Sequence, residues 1–188
     1  MIKHVVEEAK YVEITGFKNV EVKNAKELLR DVRNGKRTTV QVQFFNASIV
    51  ATWEHLYFAL LNALTAFRTK RNVSKSLAVE IMLYASAQRQ IRKAIELIGV
   101  KAGCIDVAVV VVGETSGDVE VSVSEVSTLL NREPDERVLE LSTAKALAIR
   151  EAFAITEEEL TVVAKEGDAN QALVDVVIER MALLSTKL

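Results

Sequence analysis

Between Gly103 and Gly113 the chain carries Ile-Asp-Val-Ala-Val-Val-Val-Val over 105–112, an apolar run rich in β-branched residues. Such side chains are stiff at χ1 and pack well on a pleated surface, and a run with so little polar alternation suits a strand covered on both faces. This segment is therefore expected at the centre of a sheet. Two further stretches alternate at period two: 11–17, with Val12 and Ile14 on one side, and 39–45, with Val40, Val42 and Phe44 set against Gln41 and Gln43.

The remaining pattern is mostly helical. Asn24 and Glu27 resemble a capping pair ahead of Leu28, Leu29 and Val32, with Gly35 as the stop. From Ser48, the positions Trp53, Leu56, Tyr57, Leu60, Leu61 and Leu64 follow helical spacing to an expected end at 68–71. Ser74 is expected to cap a second helix carrying Leu77, Ala78, Ile81, Met82 and Ala85, and Ile91, Ala94, Ile95 and Ile98 mark a third that Gly99 stops. Gly117-Asp118 reads as a turn; beyond it Val119, Val121 and Val123 alternate before Val126, Leu129 and Leu130 resume helical spacing. A short strand is expected over 137–141. Ser142, Thr156 (with Glu159 in capping-box position) and Asp168 are expected to cap three last helices. In the last of these Leu173, Val176, Val177, Met181 and Leu184 form a stripe interrupted by Arg180. Strands and helices in this mixed order predict an α+β fold, one domain over 1–188 with a mixed β-sheet packed against several α-helices.

Composition narrows the function classes. With 24 Lys and Arg against 26 Asp and Glu, the formal net charge of −2 excludes a globally basic nucleic-acid binder. The balance is uneven along the chain, however: residues 55–95 hold seven basic side chains against Glu80 alone, a net +6, while 112–188 hold 16 acidic and 7 basic, a net −9. A local positive field on an acidic protein permits a directed contact with an anion and opposes indiscriminate binding; a cluster of this kind also serves simply as a solvated helix face. The single cysteine, Cys104, cannot form an internal disulfide and fits a reducing, cytoplasmic compartment. The charged N-terminus, Met1-Ile-Lys-His-Val-Val-Glu-Glu, is unlike a signal peptide, and the 13 residues of 55–67 fall short of the about 20 needed to span a bilayer, so no membrane role is expected.

No motif speaks for catalysis. Gly113-Glu-Thr-Ser-Gly117 places its serine one position late for a nucleophile elbow, and no Walker loop is present. His55 has no second histidine one turn away to complete a zinc pair, and His4 is distant in sequence. Cys104 lacks a local partner and is expected to be buried beside the central strand. Glu157, Glu158 and Glu159 sit in a helix's first turn, where they favour the macrodipole. Neither a cofactor nor a metal is expected.

The stretch Asn72-Val-Ser-Lys-Ser-Leu-Ala-Val-Glu-Ile-Met-Leu-Tyr-Ala-Ser-Ala-Gln-Arg-Gln-Ile-Arg-Lys-Ala-Ile95 is distinctive as a whole. Together with Val42-Gln-Phe-Phe-Asn-Ala47, Glu54-His-Leu56 leading to Asn62-Ala-Leu64, the strand over 109–113, Ile155-Thr-Glu-Glu-Glu-Leu160 and Glu179-Arg-Met-Ala-Leu-Leu184, it resembles the kinase-binding accessory subunit of the KEOPS complex (the PRPK-binding protein family), of archaeal type. The similarity covers nearly the whole chain. Two departures stand out: Ala87 occupies a position where a glycine is expected, and the connection over 115–124 looks longer than the family's.

The resemblance implies a non-catalytic subunit that docks on a kinase-like ATPase subunit, supports its activity, and binds the single-stranded 3′ CCA tail of tRNA during threonylcarbamoyladenosine modification. Single-stranded RNA ends are held by phosphate charge, stacking and hydrogen bonds to splayed bases. On that reading Arg71, Lys75, Arg89, Arg92 and Lys93 are expected at phosphates, with Ser86, Gln88 and Gln90 at bases. Two or three neutralised phosphates would give a salt slope of about −1.5 to −2. Tyr84 either stacks a base or packs between helices. For the ATPase partner, Val176, Val177, Met181 and Leu184, with Arg180 at their edge, are expected to form a docking face, or equally to close the core. An exposed apolar face would drive self-association when partners are absent. Two other readings stand beside this one: an adaptor that binds only protein and makes no direct RNA contact, and an enzyme with an unrecognised site.

Overall fold

The computed structural model describes residues 3–5, 9–20, 22, 40–164 and 168–186. The helix expected over 24–35 lies outside them. The chain gathers into two compact units, Met1–Ala47 with Gly99–Val138 and Ser48–Ile98 with Leu139–Leu188. The class is α+β as expected.

In the first unit four strands, β1 (Lys3–Val5), β2 (Lys10–Phe17), β3 (Gln41–Asn46) and β4 (Val107–Gly113), form a sheet in the order β1-β2-β4-β3. Where a mixed sheet was expected, all three pairings are antiparallel, with Ile14 opposite Val110 and Phe44 opposite Val109. Every residue of β4 is buried, as its unbroken β-branched run requires. On one face Phe17, Val42, Phe44, Val107, Val109 and Val111 pack with Val119 and Val126 of a covering helix, α4 (Ser116–Leu130). Cys104 is half-buried against this cluster, its Sγ accepting from the Lys101 N–H at 3.3 Å.

Two expectations in this unit are corrected. The turn expected at Gly117-Asp118 and the alternating valines after it are the first turns of α4: Thr115 caps it by accepting from the Asp118 N–H at 3.1 Å. Burial falls on Val119, Ser122 and Val126 at helical spacing, while Val121 is exposed. The short strand expected over 137–141 is a 3-10 turn, Glu136–Leu139, because Asp135 draws both the Arg137 N–H (3.0 Å) and its guanidinium (2.8 Å) onto its carboxylate and so closes the chain locally.

The second unit is helical, with α1 (Trp53–Arg68), α2 (Leu77–Ala85), α3 (Ile91–Ile98), α5 (Thr143–Ala152), α6 (Glu157–Val163) and α7 (Ala169–Thr186). α1 packs on α2 and α7, and α6 on α7. The buried stripe of α1 runs through Leu56, Leu60 and Leu64 but is completed by Ala59 and Ala63, small residues that permit close helix approach, whereas Trp53, Tyr57 and Leu61 remain half-buried. α2 is capped by Ser76, which accepts from the Val79 N–H; Ser74, expected in that role, sits two residues earlier and accepts from the Ser76 N–H at 3.1 Å. In α3 Ala94 and Ile98 are buried while Ile91 and Ile95 are exposed. The caps expected at Ser142, Thr156 with Glu159, and Asp168 are present.

Four helices, α1, α2, α4 and α5, end in the same way, on a residue of positive φ: Lys70 (57°), Ala87 (50°), Asn131 (50°) and Ala154 (50°). In α2 the Gln88 N–H reaches the Leu83 carbonyl at 3.0 Å and the Ala87 N–H reaches Tyr84 at 2.8 Å, the paired bonds of a Schellman ending. Glycine takes this conformation without the Cβ clash that alanine suffers. Ala87→Gly is therefore expected to stabilise the protein by about 1 kcal/mol, read as a higher urea midpoint with unchanged m-value. An unchanged or lower midpoint would contradict this account.

Candidate functional site

The basic segment converges on a groove of about 530 Å³ in the helical unit. Its walls come from the exit of α1 (Thr69, Arg71), from α2 (Glu80, Tyr84), from the turn that follows (Gln88, Arg89) and from Leu184 of α7. Arg71 reaches the groove because α1's left-handed ending reverses the chain at Lys70, with the Arg71 N–H on the Ala66 carbonyl at 2.8 Å. Gln88 and Arg89 reach it through the corresponding reversal at Ala87. Arg89 is exposed and donates through Nη2 to the Leu184 carbonyl at 3.0 Å, which draws its guanidinium towards the groove.

Two residues that the charge pattern did not single out shape the floor. Glu80, only 2% exposed, holds the chain after α1: its carboxylate accepts from the Val73 N–H at 3.1 Å and from the Ser74 N–H at 2.7 Å. As the lone acid in the +6 segment, set between Val79 and Ile81, it carried a signal that charge counting alone passes over. Tyr84, 8% exposed, packs within the helical core while still lining the groove. Burial, and then the Glu80 charge, push its phenol above the usual range against a smaller opposing pull from Arg89, so it stays a neutral hydroxyl at physiological pH.

Of the residues expected to contact RNA, the groove brings together Arg71, Gln88 and Arg89. Lys75, Gln90, Arg92 and Lys93 are exposed but do not line it, and Arg92 pairs with Glu96 on its own helix at 3.6 Å. Ser86 is withdrawn from the set: it is wholly buried, and its hydroxyl donates to the Met82 and Leu83 carbonyls at 2.8 and 3.0 Å, closing α2.

A second and larger groove, of about 810 Å³, has apolar walls that include Leu97, Phe153, Val162, Val163 and Leu183 and a charged rim of Glu158, Glu159, Glu179 and Arg180. Val162 is 85% and Leu183 45% exposed. Arg180 is committed internally, donating to the Glu159 carboxylate at 2.7 Å and to the Phe153 carbonyl. Glu159 also accepts from the Thr156 N–H, and that bond first, with Arg180 second, holds its carboxyl below the usual range. The rim is left net negative.

The residues of the last helix expected to form a docking face do not share one surface. Val176, Val177 and Met181 are 4%, 0% and 0% exposed, so they are turned inward, Val176 and Val177 into a cluster with Ile149, Phe153, Leu160 and Leu173. Leu184 lines the basic groove instead. Val177 and Met181 thus close the core, while Val176, little exposed as it is, still lines the apolar groove together with Arg180.

His55 is fully buried and is bound on both ring nitrogens. Nδ1 accepts from the Ala51 N–H at 3.2 Å, and Nε2 lies 2.7 Å from the Ala85 carbonyl, which makes Nε2 the protonated nitrogen. Among the described residues no group of three or more His, Cys, Asp or Glu side chains could hold a metal ion, and no helix is long and apolar enough to cross a membrane.

Comparison with known proteins agrees with the sequence resemblance. The model of the family described as kinase binding protein CGI-121 matches residues 17–185. A regulatory protein Cgi121 from Methanocaldococcus jannaschii, an archaeal relative, is 33% identical over 148 residues, spanning 79% of this chain and 86% of the relative. A match over nearly the full length, to a family whose described property is binding a kinase, makes this chain a member of the CGI-121 family of kinase-binding regulatory proteins.

Proposed function

We propose that this chain is a non-catalytic subunit of a KEOPS complex in the cytoplasm, one that receives the 3′ CCA tail of tRNA in the basic groove and docks on the kinase-like ATPase subunit, supporting its activity in tRNA threonylcarbamoyladenosine modification. The observation that carries the RNA half is the meeting of Arg71, Gln88 and Arg89, from two separate turns, around one groove of about 530 Å³. That volume is large enough for an unstacked nucleotide, the two guanidiniums supply phosphate charge and planar stacking, and the Gln88 amide offers both donor and acceptor to a base edge. The docking half is supported by the apolar groove with its acidic rim, which suits a partner segment presenting an apolar side chain flanked by basic ones. Left uncovered, Val162 and Leu183 would also promote self-association.

Binding of tRNA with and without its CCA tail, measured across a salt series, tests the RNA half. Two phosphates neutralised by Arg71 and Arg89 give a slope of log K against log salt of about −1.4. Affinity is expected to require the tail and to fall in Arg89→Glu. Equal weak binding of both tRNAs, unchanged in the variant, would instead favour an adaptor that makes no direct RNA contact.

A further inference from the structure

One of the groove's two arginines, Arg71, stands where α1's hydrogen-bonded ending passes into a short stretch, residues 72–76, that has no regular secondary structure. Free loops of this kind sample many conformations, and an arginine carried on one loses entropy when it grips a phosphate. Here the stretch is tied down. Glu80 accepts the N–H of Val73 at 3.1 and 3.2 Å and that of Ser74 at 2.7 Å; the Asn72 amide donates to the Ser74 carbonyl at 2.9 Å; and the Ser74 hydroxyl accepts from the Ser76 N–H at 3.1 Å. Burying a carboxylate is costly unless it is well satisfied, so a glutamate at 2% exposure beside an anion-binding wall is an expensive choice for a helix that needs only an apolar residue there. It also places a negative charge on the groove that Arg71 and Arg89 line, where simple attraction for an anion would favour none.

We propose that Glu80 is a positioning residue for the RNA groove: by clamping the Val73 and Ser74 amides it fixes the turn that presents Arg71. The proposal rests on the RNA reading above. Backbone preorganisation outweighs the charge that the carboxylate adds, because that charge is already taken up by the amides, and the guanidinium then meets its phosphate without first having to order a loop.

Glu80→Gln is the informative change, since it keeps the shape but loses the charge and turns one acceptor into a donor facing an N–H. In the full chain it is expected to remain folded, to speed hydrogen exchange at the Val73 and Ser74 amides, to weaken tRNA binding roughly tenfold, and to reduce the salt slope by about 0.7, the share of one phosphate contact. In an Arg71→Ala background the same change is expected to cost almost nothing further, because the residue it positions is gone. A general loss of stability would weaken binding equally in both backgrounds and leave the slope alone.

Parental affinity and slope in folded Glu80→Gln would overturn the proposal. So would equal losses in the two backgrounds, or an isosteric variant that unfolds outright, since Glu80 would then hold the whole unit and not the turn. If Arg71→Ala and Arg89→Ala themselves leave tRNA binding untouched, it is the RNA reading that fails, and the exchange at Val73 and Ser74 reports separately on whether Glu80 clamps the turn.

Discussion

Acidification from pH 7.5 to pH 4 is expected to remove about 3 kcal/mol of folding stability through His55 alone, a large part of the total of a domain whose margin is of order 10 kcal/mol. The imidazole is fully buried, and burial, the main cause, pulls its pKa from 6.5 down to about 4, with the Lys145 charge adding to the pull and the Ala85 carbonyl opposing it. In the unfolded chain the ring takes up a proton near pH 6.5, whereas in the folded protein it does so only near pH 4. The unfolded state therefore binds more protons throughout that interval. Stability is fully present above pH 6.5 and is lost as the pH falls towards 4, at about 1.4 kcal/mol per pH unit. The structural event is the loss of the Nδ1 acceptor: a protonated ring would turn a second N–H towards the Ala51 N–H, 3.2 Å away. Urea titrations across this range, on the parent and on His55→Gln, isolate the contribution, because the exposed carboxylates that also titrate are common to both. The variant is expected to be less stable at pH 7.5 and to show a flatter pH dependence. An equally steep dependence in His55→Gln would place the acid sensitivity elsewhere.

Val177→Asp is expected to unfold the helical unit. Val177 has no exposure and packs in the cluster with Ile149, Phe153 and Leu173, where an aspartate would be buried without a partner, a change that costs several kcal/mol. Circular dichroism of the variant should show loss of helix or a midpoint far below the parent's. A variant as stable as the parent would mean that Val177 faces outward and would return α7 to the docking surface. Because the expected result is unfolding, the groove proposed for docking is better probed at Val162, 85% exposed at its edge. Val162→Asp should fold normally and lose affinity for the kinase-like partner, more so as the added charge deepens an already acidic rim. Partner binding as tight as the parent's would remove this groove from the docking reading.

Features fixed by neighbours a few residues away were legible in the sequence. The β4 run could be placed at the sheet centre because a strand without polar alternation must be covered on both faces. The caps at Ser142, at Thr156 with Glu159, and at Asp168 followed from side chains that reach N–H groups two or three positions on. The α1, α2 and α5 endings were less legible, since Lys70, Ala87 and Ala154 adopt the left-handed conformation without being glycine, and packing imposes it on them. The valines after Gly117 fit period two over three positions, yet the sheet needed a covering helix there, and Val119 and Val126 meet that need only at helical spacing.

The sequence by itself determined that a basic segment exists in an acidic chain, that the fold is α+β, and, through the long stretch over 72–95, the family. Only tertiary structure decided which cations line one groove. Arg71 and Arg89 share a groove because two left-handed helix ends turn towards each other, while Arg92 and Lys93, nearer to Arg89 in sequence, lie outside it. It likewise decided that Val177 and Met181 are buried and that Glu80 and Tyr84 line the same groove as the two arginines. The reason is one of range. A cap or a strand period is satisfied by residues a few positions apart, whereas whether an apolar stripe is covered, or an arginine opposed, depends on elements that only folding brings alongside.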